Sequence, residues 1–123
     1  MLTPLPELVA AARANLRCVD AEVAIREIQE NNGTIIDVRE PVEVSATPAP
    51  HSINIPRGIL EMKVMDIVPE ASHPLYVHCA TGGRATLAAE QLERLGYEQV
   101  SVITCTIDVV CAQQAVLGPS AAE

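Results

Sequence analysis

A single cysteine, Cys79, is followed five positions later by Arg84, with Gly82 and Gly83 between them. The apolar run 75–77 before the cysteine is typical of a buried strand, and the apolar residues after Arg84 recur at helical spacing. The cysteine is therefore predicted in a tight loop that leads into the amino terminus of a helix. Unpaired amides and the helix dipole at such a position favour an anion, and so favour a thiolate over a thiol.

The other residues of this loop support the same chemistry. The two glycines let the backbone curl and let an anion approach closely, and Arg84 can bind an anion with two hydrogen bonds. An isolated cysteine between a strand and a helix is more often a small apolar side chain with no chemistry. The glycine pair and Arg84 at this spacing favour the nucleophile over that alternative.

Composition restricts the classes of protein that remain. The 123 residues are 49% hydrophobic, with two Tyr, no Phe and no Trp, which suits one α/β domain with an aliphatic core. The net charge of −8 argues against nucleic acid and anionic membranes as partners. The sequence has no apolar run near the ~20 residues of a membrane span and does not begin like a secretory signal, so we expect a cytoplasmic protein.

The cysteines do not form a recognisable framework. The chain has four cysteines at irregular spacing, Cys18, Cys79, Cys105 and Cys111. No pair has the CxxC spacing of a zinc site, so we expect neither disulfides nor a metal. Cys18 and Cys111 are predicted to pack in the core.

Strand and helix patterns alternate along the chain. We predict strands at 16–19, 34–36, 53–55, 75–78 and 100–103. We predict helices at 6–15, 42–45, 59–66 and 107–116. Two further helices are predicted, one from the N-cap Asp20 to the turn at 31–33 and one from the Cys79 loop to a stop at Gly96. Mostly apolar strands that alternate with helices predict a mostly parallel five-stranded sheet with helices on both faces. Residues 1–15 are predicted as a helical extension, 16–117 as the main domain and 118–123 as a tail.

Several polar side chains come directly after predicted strands. They are Asp37, Arg57, Cys79 and Cys105. Ligands of such sheets bind beyond the carboxyl ends of the strands, so we expect these residues to converge on one crevice. Because the net charge repels an anionic substrate, Arg39, Arg57 and Arg84 would have to supply the attraction locally. For Arg39 a plain surface charge is an equal alternative.

Three segments resemble the signatures of the single-domain rhodanese family of sulfurtransferases. They are the strand and Asp-Val-Arg-Glu motif at 34–43, the segment 50–58, and the cysteine loop at 78–86 with the helix end at 92–97. The resemblance covers residues 16–103 in the family's order. It implies the rhodanese-like three-layer α/β fold.

The resemblance also implies an activity. Cys79 would take a sulfane sulfur from a small anionic donor such as thiosulfate and hold it as a persulfide, which cyanide, a thiol or a protein thiol then consumes. The amides of the loop would cradle the persulfide and the donor's charge, through Ala80, Thr81, Gly82, Gly83 and Arg84. Arg84 would help to bind the anion or brace the loop, and Arg57 is a second candidate to bind the anion. Asp37 and Arg39 would support the site. No cofactor is implied.

The sequence departs from the family pattern in two places that bear on the site. Residues 104–111 replace the usual Gly-Gly and Trp after the last strand, and no extra cation stands between Cys79 and Arg84, so thiosulfate is expected to be a weak donor. Cys105, beyond a strand expected beside that of Cys79, is a candidate resolving thiol. Its alternative is a small buried residue that replaces a glycine.

Two other functions remain open. A phosphatase of the same fold shares the Cys–Arg loop, but tetrahedral phosphate requires one residue more than the four between Cys79 and Arg84. A non-catalytic module that binds a partner or senses redox state would fit the altered segment at 104–111. The intact loop argues against that module.

Overall fold

The five predicted strands form one sheet in the computed structural model, which describes residues 1–118. They are β1 (Arg17–Val19), β2 (Thr34–Asp37), β3 (Ser52–Asn54), β4 (Leu75–His78) and β5 (Val100–Ile103). Their order is β1-β5-β4-β2-β3, and every neighbouring pair is parallel. The predicted parallel α/β sheet is confirmed, and the carboxyl ends of all five strands meet at one edge.

Six helices connect and cover these strands. They are α1 (Leu5–Arg13), α2 (Ala21–Asn31), α3 (Pro41–Ala46), α4 (Leu60–Ile67), α5 (Gly83–Leu95) and α6 (Ile107–Gln114), with 3₁₀ turns at Arg57–Ile59 and Ala115–Leu117. The last helix ends two residues earlier than predicted and tightens into the second of these turns. Of the predicted tail, only Gly118 lies within the described residues.

Local sequence signals fix the helix ends. The Asp20 carboxylate accepts the Val23 amide at 2.9 Å and so caps α2, as predicted. Asn32 (φ 58°) and Gly96 (φ 112°) end α2 and α5 in the left-handed conformation. No helix in residues 1–118 has the length and apolar character to cross a bilayer.

Each face of the sheet has its own core. On one face, Ile36, Val38 and Val77 pack with Cys79 and with the buried sides of α4 and α5. On the other, Ile35 and Tyr76 pack with α2 and α6. Alternate residues of the same strands thus face different helices, as a sheet covered on both sides requires. The helix α1 packs against α5.

Both tyrosines lie at the amino edge of the sheet. The Tyr76 hydroxyl donates to Glu27 at 2.7 Å and accepts from Asn31 at 2.9 Å. The Tyr97 hydroxyl donates to the carbonyl of Val68 at the end of α4. These bonds satisfy the polar ends of two buried rings at the edge opposite to Cys79.

Candidate active site

Cys79 lies directly after β4, at the amino terminus of α5, and is 1% exposed. Its Sγ accepts the backbone N–H groups of Gly82 at 3.1 Å and of Ala85 at 3.4 Å. The predicted strand–loop–helix arrangement is therefore present. The sulfur lies among amides at the positive end of a 13-residue helix, which stabilises a negative charge there.

Gly82 determines the shape of the loop. Its φ of +100° belongs to the left-handed region that favours glycine. A Cβ at this position would lie 3.4 Å from the Thr104 carbonyl oxygen and 2.6 Å from the Arg13 guanidinium, so the Arg13 side chain would have to move to admit one. The Ile107 amide donates to the carbonyl of Ala80 at 3.0 Å. The segment between β5 and α6 thus packs directly on the loop.

Arg84 is bound to a carboxylate that the sequence did not point to. Its Nη1 and Nη2 donate to Glu43 Oε1 and Oε2 at 2.6 and 2.9 Å. This pair, with 38% and 35% of its side chains exposed, holds the pKa of Glu43 at about 2 and raises the pKa of Arg84. Glu43 Oε1 also accepts the Glu40 amide at 3.0 Å, which fixes the carboxylate at the start of α3. The anion-binding fork of Arg84 is therefore occupied by Glu43.

Asp37 and Arg39 form a second pair, fully inside the protein. Arg39 Nη2 lies 2.8 Å from Asp37 Oδ2, and the side chains are 2% and 1% exposed, so Arg39 is not a surface charge. The Asp37 carboxylate raises the pKa of Arg39. Arg39 also donates to the carbonyls of Thr47 at 2.8 Å and Glu43 at 3.4 Å. The pair thus ties the end of β2 to α3.

Arg57 begins the 3₁₀ turn before α4. Its amide donates to the carbonyl of Val38, the residue after β2, so Arg57 lies beside the carboxyl end of that strand. Its guanidinium pairs with Glu61 one turn later, at 2.9 Å, and both side chains remain partly exposed. All three arginines that the sequence assigned to the site are thus paired with carboxylates.

Cys105 does not face the same core as Cys79. Its Sγ accepts the Ala21 amide at 3.3 Å and packs with the core beneath α2 and α6. Cys79 belongs to the core beneath α4 and α5. Although β5 does lie beside β4, as predicted, the two thiols belong to opposite faces of the sheet. This placement favours the packing alternative for Cys105.

The remaining cysteines differ from each other. Cys18, predicted to be in the core, is exposed, because β1 is a short edge strand with only one neighbour. Cys111 is partly buried and donates to the carbonyl of Pro48 at 3.3 Å. Burial raises the pKa of its thiol. Within residues 1–118, no group of side chains has the composition and geometry of a metal site.

His78 is fully buried and belongs to a polar network with Ser52 and Gln114. Its Nε2 lies 2.6 Å from Ser52 Oγ, which accepts from Gln114 Nε2 at 2.7 Å. Burial lowers the pKa of His78, so the imidazole is neutral at pH 7. The residue links β4, β3 and α6 beneath the site and does not touch the Cys79 sulfur.

Sequence reasoning missed Arg13, which reaches the loop from α1. Its Nε donates to Thr86 Oγ1 at 3.0 Å. An open cleft of about 530 Å³ lies between α1 and the loop, lined by Leu5, Pro6, Val9, Ala10, Arg13, Thr81 and Gly83. Nothing in the local pattern of residues 6–15 signals this contact, because it depends on how α1 packs against α5.

The structure resembles several solved proteins. A polysulfide-sulfur transferase homodimer from Wolinella succinogenes is 28% identical, with a TM-score of 0.73 over 93% of this chain and 83% of that one. A single-domain sulfurtransferase from Saccharomyces cerevisiae is 25% identical, with a TM-score of 0.63 over 85% and 96%. A Rhodopseudomonas palustris protein of unknown function, described as a possible tyrosine phosphatase, is 22% identical, with a TM-score of 0.78 over 98% and 96%, which shows the fold alone.

No curated protein matches the sequence. The sequence model of the rhodanese-like domain matches residues 20–112, which include all of the cysteine loop and all three carboxylate–arginine pairs described above. The chain therefore belongs to the rhodanese-like domain family.

Proposed function

We propose that the protein is a sulfurtransferase that carries sulfane sulfur on Cys79. The observation that carries this proposal is the position of the Cys79 sulfur, 3.1 and 3.4 Å from two backbone amides at the start of α5. Such amides stabilise a thiolate before reaction and a persulfide anion after it. The likeness to two sulfurtransferases supports the same reaction class.

The reaction consists of two displacements. The Cys79 thiolate attacks the outer sulfur of thiosulfate, the sulfur–sulfur bond of the donor breaks, and sulfite leaves with the bonding electron pair. An acceptor thiolate or cyanide then attacks the terminal sulfur of the Cys79 persulfide. The acceptor leaves with that sulfur as a persulfide or thiocyanate, and the Cys79 thiolate is restored.

The pairing of the arginines bears on the donor. Arg84 and Arg57 each already bind a carboxylate, so a divalent anion has to compete with Glu43 or Glu61 for the guanidinium group, at a cost in affinity. This cost supports the expectation that thiosulfate is a weak donor. Polysulfide, the substrate class in the name of the Wolinella protein, is a second donor to test.

Intact mass after incubation of the reduced protein with thiosulfate, or with polysulfide, tests the proposal. The wild type should gain the mass of one sulfur atom, and cyanide should remove it with release of thiocyanate. Cys79→Ser should fold and gain nothing, whereas Cys111→Ser, the same substitution at a partly buried thiol away from the loop, should behave as the wild type. A folded wild-type protein that gains no sulfur from either donor would contradict the proposal.

A phosphatase is the alternative that the Rhodopseudomonas neighbour raises. The loop has four residues between Cys79 and Arg84, which suits a single sulfur atom better than a tetrahedral phosphate. Hydrolysis of an aryl phosphate that Cys79→Ser abolishes, together with no sulfur uptake by the wild type, would support the phosphatase instead.

A further inference from the structure

A chain of hydrogen bonds connects α1 to the loop that holds Cys79. Arg13 Nε donates to Thr86 Oγ1 at 3.0 Å, and the same hydroxyl donates to the carbonyl of Gly82 at 2.7 Å. Thr86 is fully buried, so its bond to Gly82 is shielded from solvent, and its bond to Arg13 is partly shielded. Arg13 is thereby held at a fixed place against the loop.

The guanidinium lies directly against Gly82. Arg13 Nη2 is 2.6 Å from the position that a Cβ on Gly82 would occupy. The amide of the same glycine donates to Cys79 Sγ at 3.1 Å. One residue of the loop thus separates the guanidinium from the sulfur, a distance over which a partly buried charge acts on its neighbour.

Arg13 also differs from the other arginines in its charge balance. Five arginines lie within 4.0 Å of a carboxylate: Arg17, Arg26, Arg39, Arg57 and Arg84. Among residues 1–118, Arg13 and Arg94 form no such ion pair, and of these two only Arg13 contacts the loop. The positive charge of Arg13 is therefore not cancelled by an adjacent carboxylate.

We propose that Arg13 is a positioning residue for Cys79. It holds the Gly82 peptide against the sulfur through Thr86, and it supplies an uncancelled positive charge beside the loop. The inference rests on the proposed function in that Cys79 is the reacting group. The family match begins at residue 20, so α1 and Arg13 lie outside the matched residues, and this role is not one that the family match itself covers.

Alkylation of the Cys79 thiol measures this role without any sulfur transfer. We would compare neutral iodoacetamide with anionic iodoacetate at pH 7 and read modification of Cys79 by peptide mass. Arg13→Gln should slow alkylation of Cys79 by about fivefold, the effect of one nearby unit charge in a well-solvated setting. It should also lower the ratio of the iodoacetate rate to the iodoacetamide rate, which a loss of packing alone would not do.

Arg94→Gln is the matched control, because it removes the same charge from an exposed site at the far end of α5. It should keep the wild-type rates and ratio. Arg13→Lys retains the charge without the Nε hydrogen bond to Thr86, so it should restore the ratio and part of the rate. An unchanged ratio in Arg13→Gln would overturn the electrostatic role, and an unchanged rate would overturn the proposal as a whole.

Thermal unfolding accompanies each measurement. If Arg13→Gln does not fold, Thr86→Val replaces it, since that variant keeps Arg13 and removes the hydroxyl that holds it. Slower alkylation in folded Thr86→Val supports the proposal, and wild-type alkylation contradicts it. Sulfur uptake is measured separately. If the protein takes up no sulfur but Arg13→Gln still slows alkylation of Cys79, the result contradicts the proposed function and supports the role of Arg13.

Discussion

Two arginine–carboxylate pairs lie at the same edge of the sheet and differ mainly in their access to water. Asp37–Arg39 is 1% and 2% exposed, whereas Glu43–Arg84 is 35% and 38% exposed. The helix α3 joins them, because the Glu43 carbonyl accepts from Arg39 while the Glu43 carboxylate binds Arg84. The buried pair is a structural element, and the exposed pair is the one that the proposed anionic donor would have to open.

The largest effect should come from breaking the buried pair. Asp37→Asn keeps the size of the side chain but leaves the Arg39 charge buried and without its carboxylate. We expect a loss of about 3 kcal/mol in the free energy of unfolding, the range measured when one member of a buried pair is removed. Urea unfolding, monitored by circular dichroism, measures this loss. If Asp37→Asn and Glu43→Gln lost the same free energy of unfolding within experimental error, the two pairs would not differ as described.

The exposed pair should matter for the donor instead. Arg84→Gln should reduce the rate of sulfur uptake from thiosulfate by about tenfold, as expected when a charge-assisted, two-point contact to an anion is lost. Glu43→Gln is the counterpart, because it frees the same guanidinium and should raise uptake. Intact mass of samples quenched at successive times gives the rate of sulfur uptake for each variant. Equal uptake by Arg84→Gln and wild type would remove Arg84 from donor binding.

A smaller effect concerns acid stability. The pKa of Glu43 in the folded protein is about 2, below its ordinary 4.5, because Arg84 binds the carboxylate. The stabilisation is therefore complete above pH 4.5 and is lost as the pH falls towards 2. Since both side chains are more than a third exposed, we expect about 1 kcal/mol or less. The stability difference between wild type and Glu43→Gln should shrink over that window, and a difference independent of pH would contradict this origin.

The smallest effect should come from Cys105→Ser. The sulfur accepts one amide at 3.3 Å and lies in the core away from Cys79, so a hydroxyl can take its place. We expect a change of about 0.5 kcal/mol in stability and wild-type sulfur uptake and release. Unchanged melting with a loss of sulfur release would show instead that Cys105 takes part in the transfer.

The order and type of the elements could be predicted because their signals are local. The Asp20 cap, the turn at Asn32 and the Gly96 stop each act within a few residues. The Cys79 loop could be placed for the same reason, since its strand, glycines and helix are contiguous. Its chemistry follows from backbone amides that any sequence with that geometry would present.

The partners of the charged residues could not be predicted, because they depend on distances in the folded chain. Glu43 is 41 positions from Arg84, and Arg13 is 73 positions from Thr86. Strand order also depends on contacts between distant parts of the chain. Periodicity predicts a strand at residues 16–19 but not its place at the edge of the sheet, so the prediction of a buried Cys18 was wrong. The capping box between Glu40 and Glu43 is the one local feature that could have indicated a fixed position for the Glu43 carboxylate at the start of α3.

The location of the two tyrosines has a practical consequence for spectroscopy. With no Trp and no Phe in the chain, near-ultraviolet absorption and fluorescence come from Tyr76 and Tyr97, both at the amino edge of the sheet. Native optical signals therefore report on the edge opposite to Cys79. A single tryptophan at the exposed Thr106 would be the only indole in the protein, and its emission, at longer wavelength than that of tyrosine, would report on the carboxyl edge of the sheet, where Cys79 lies.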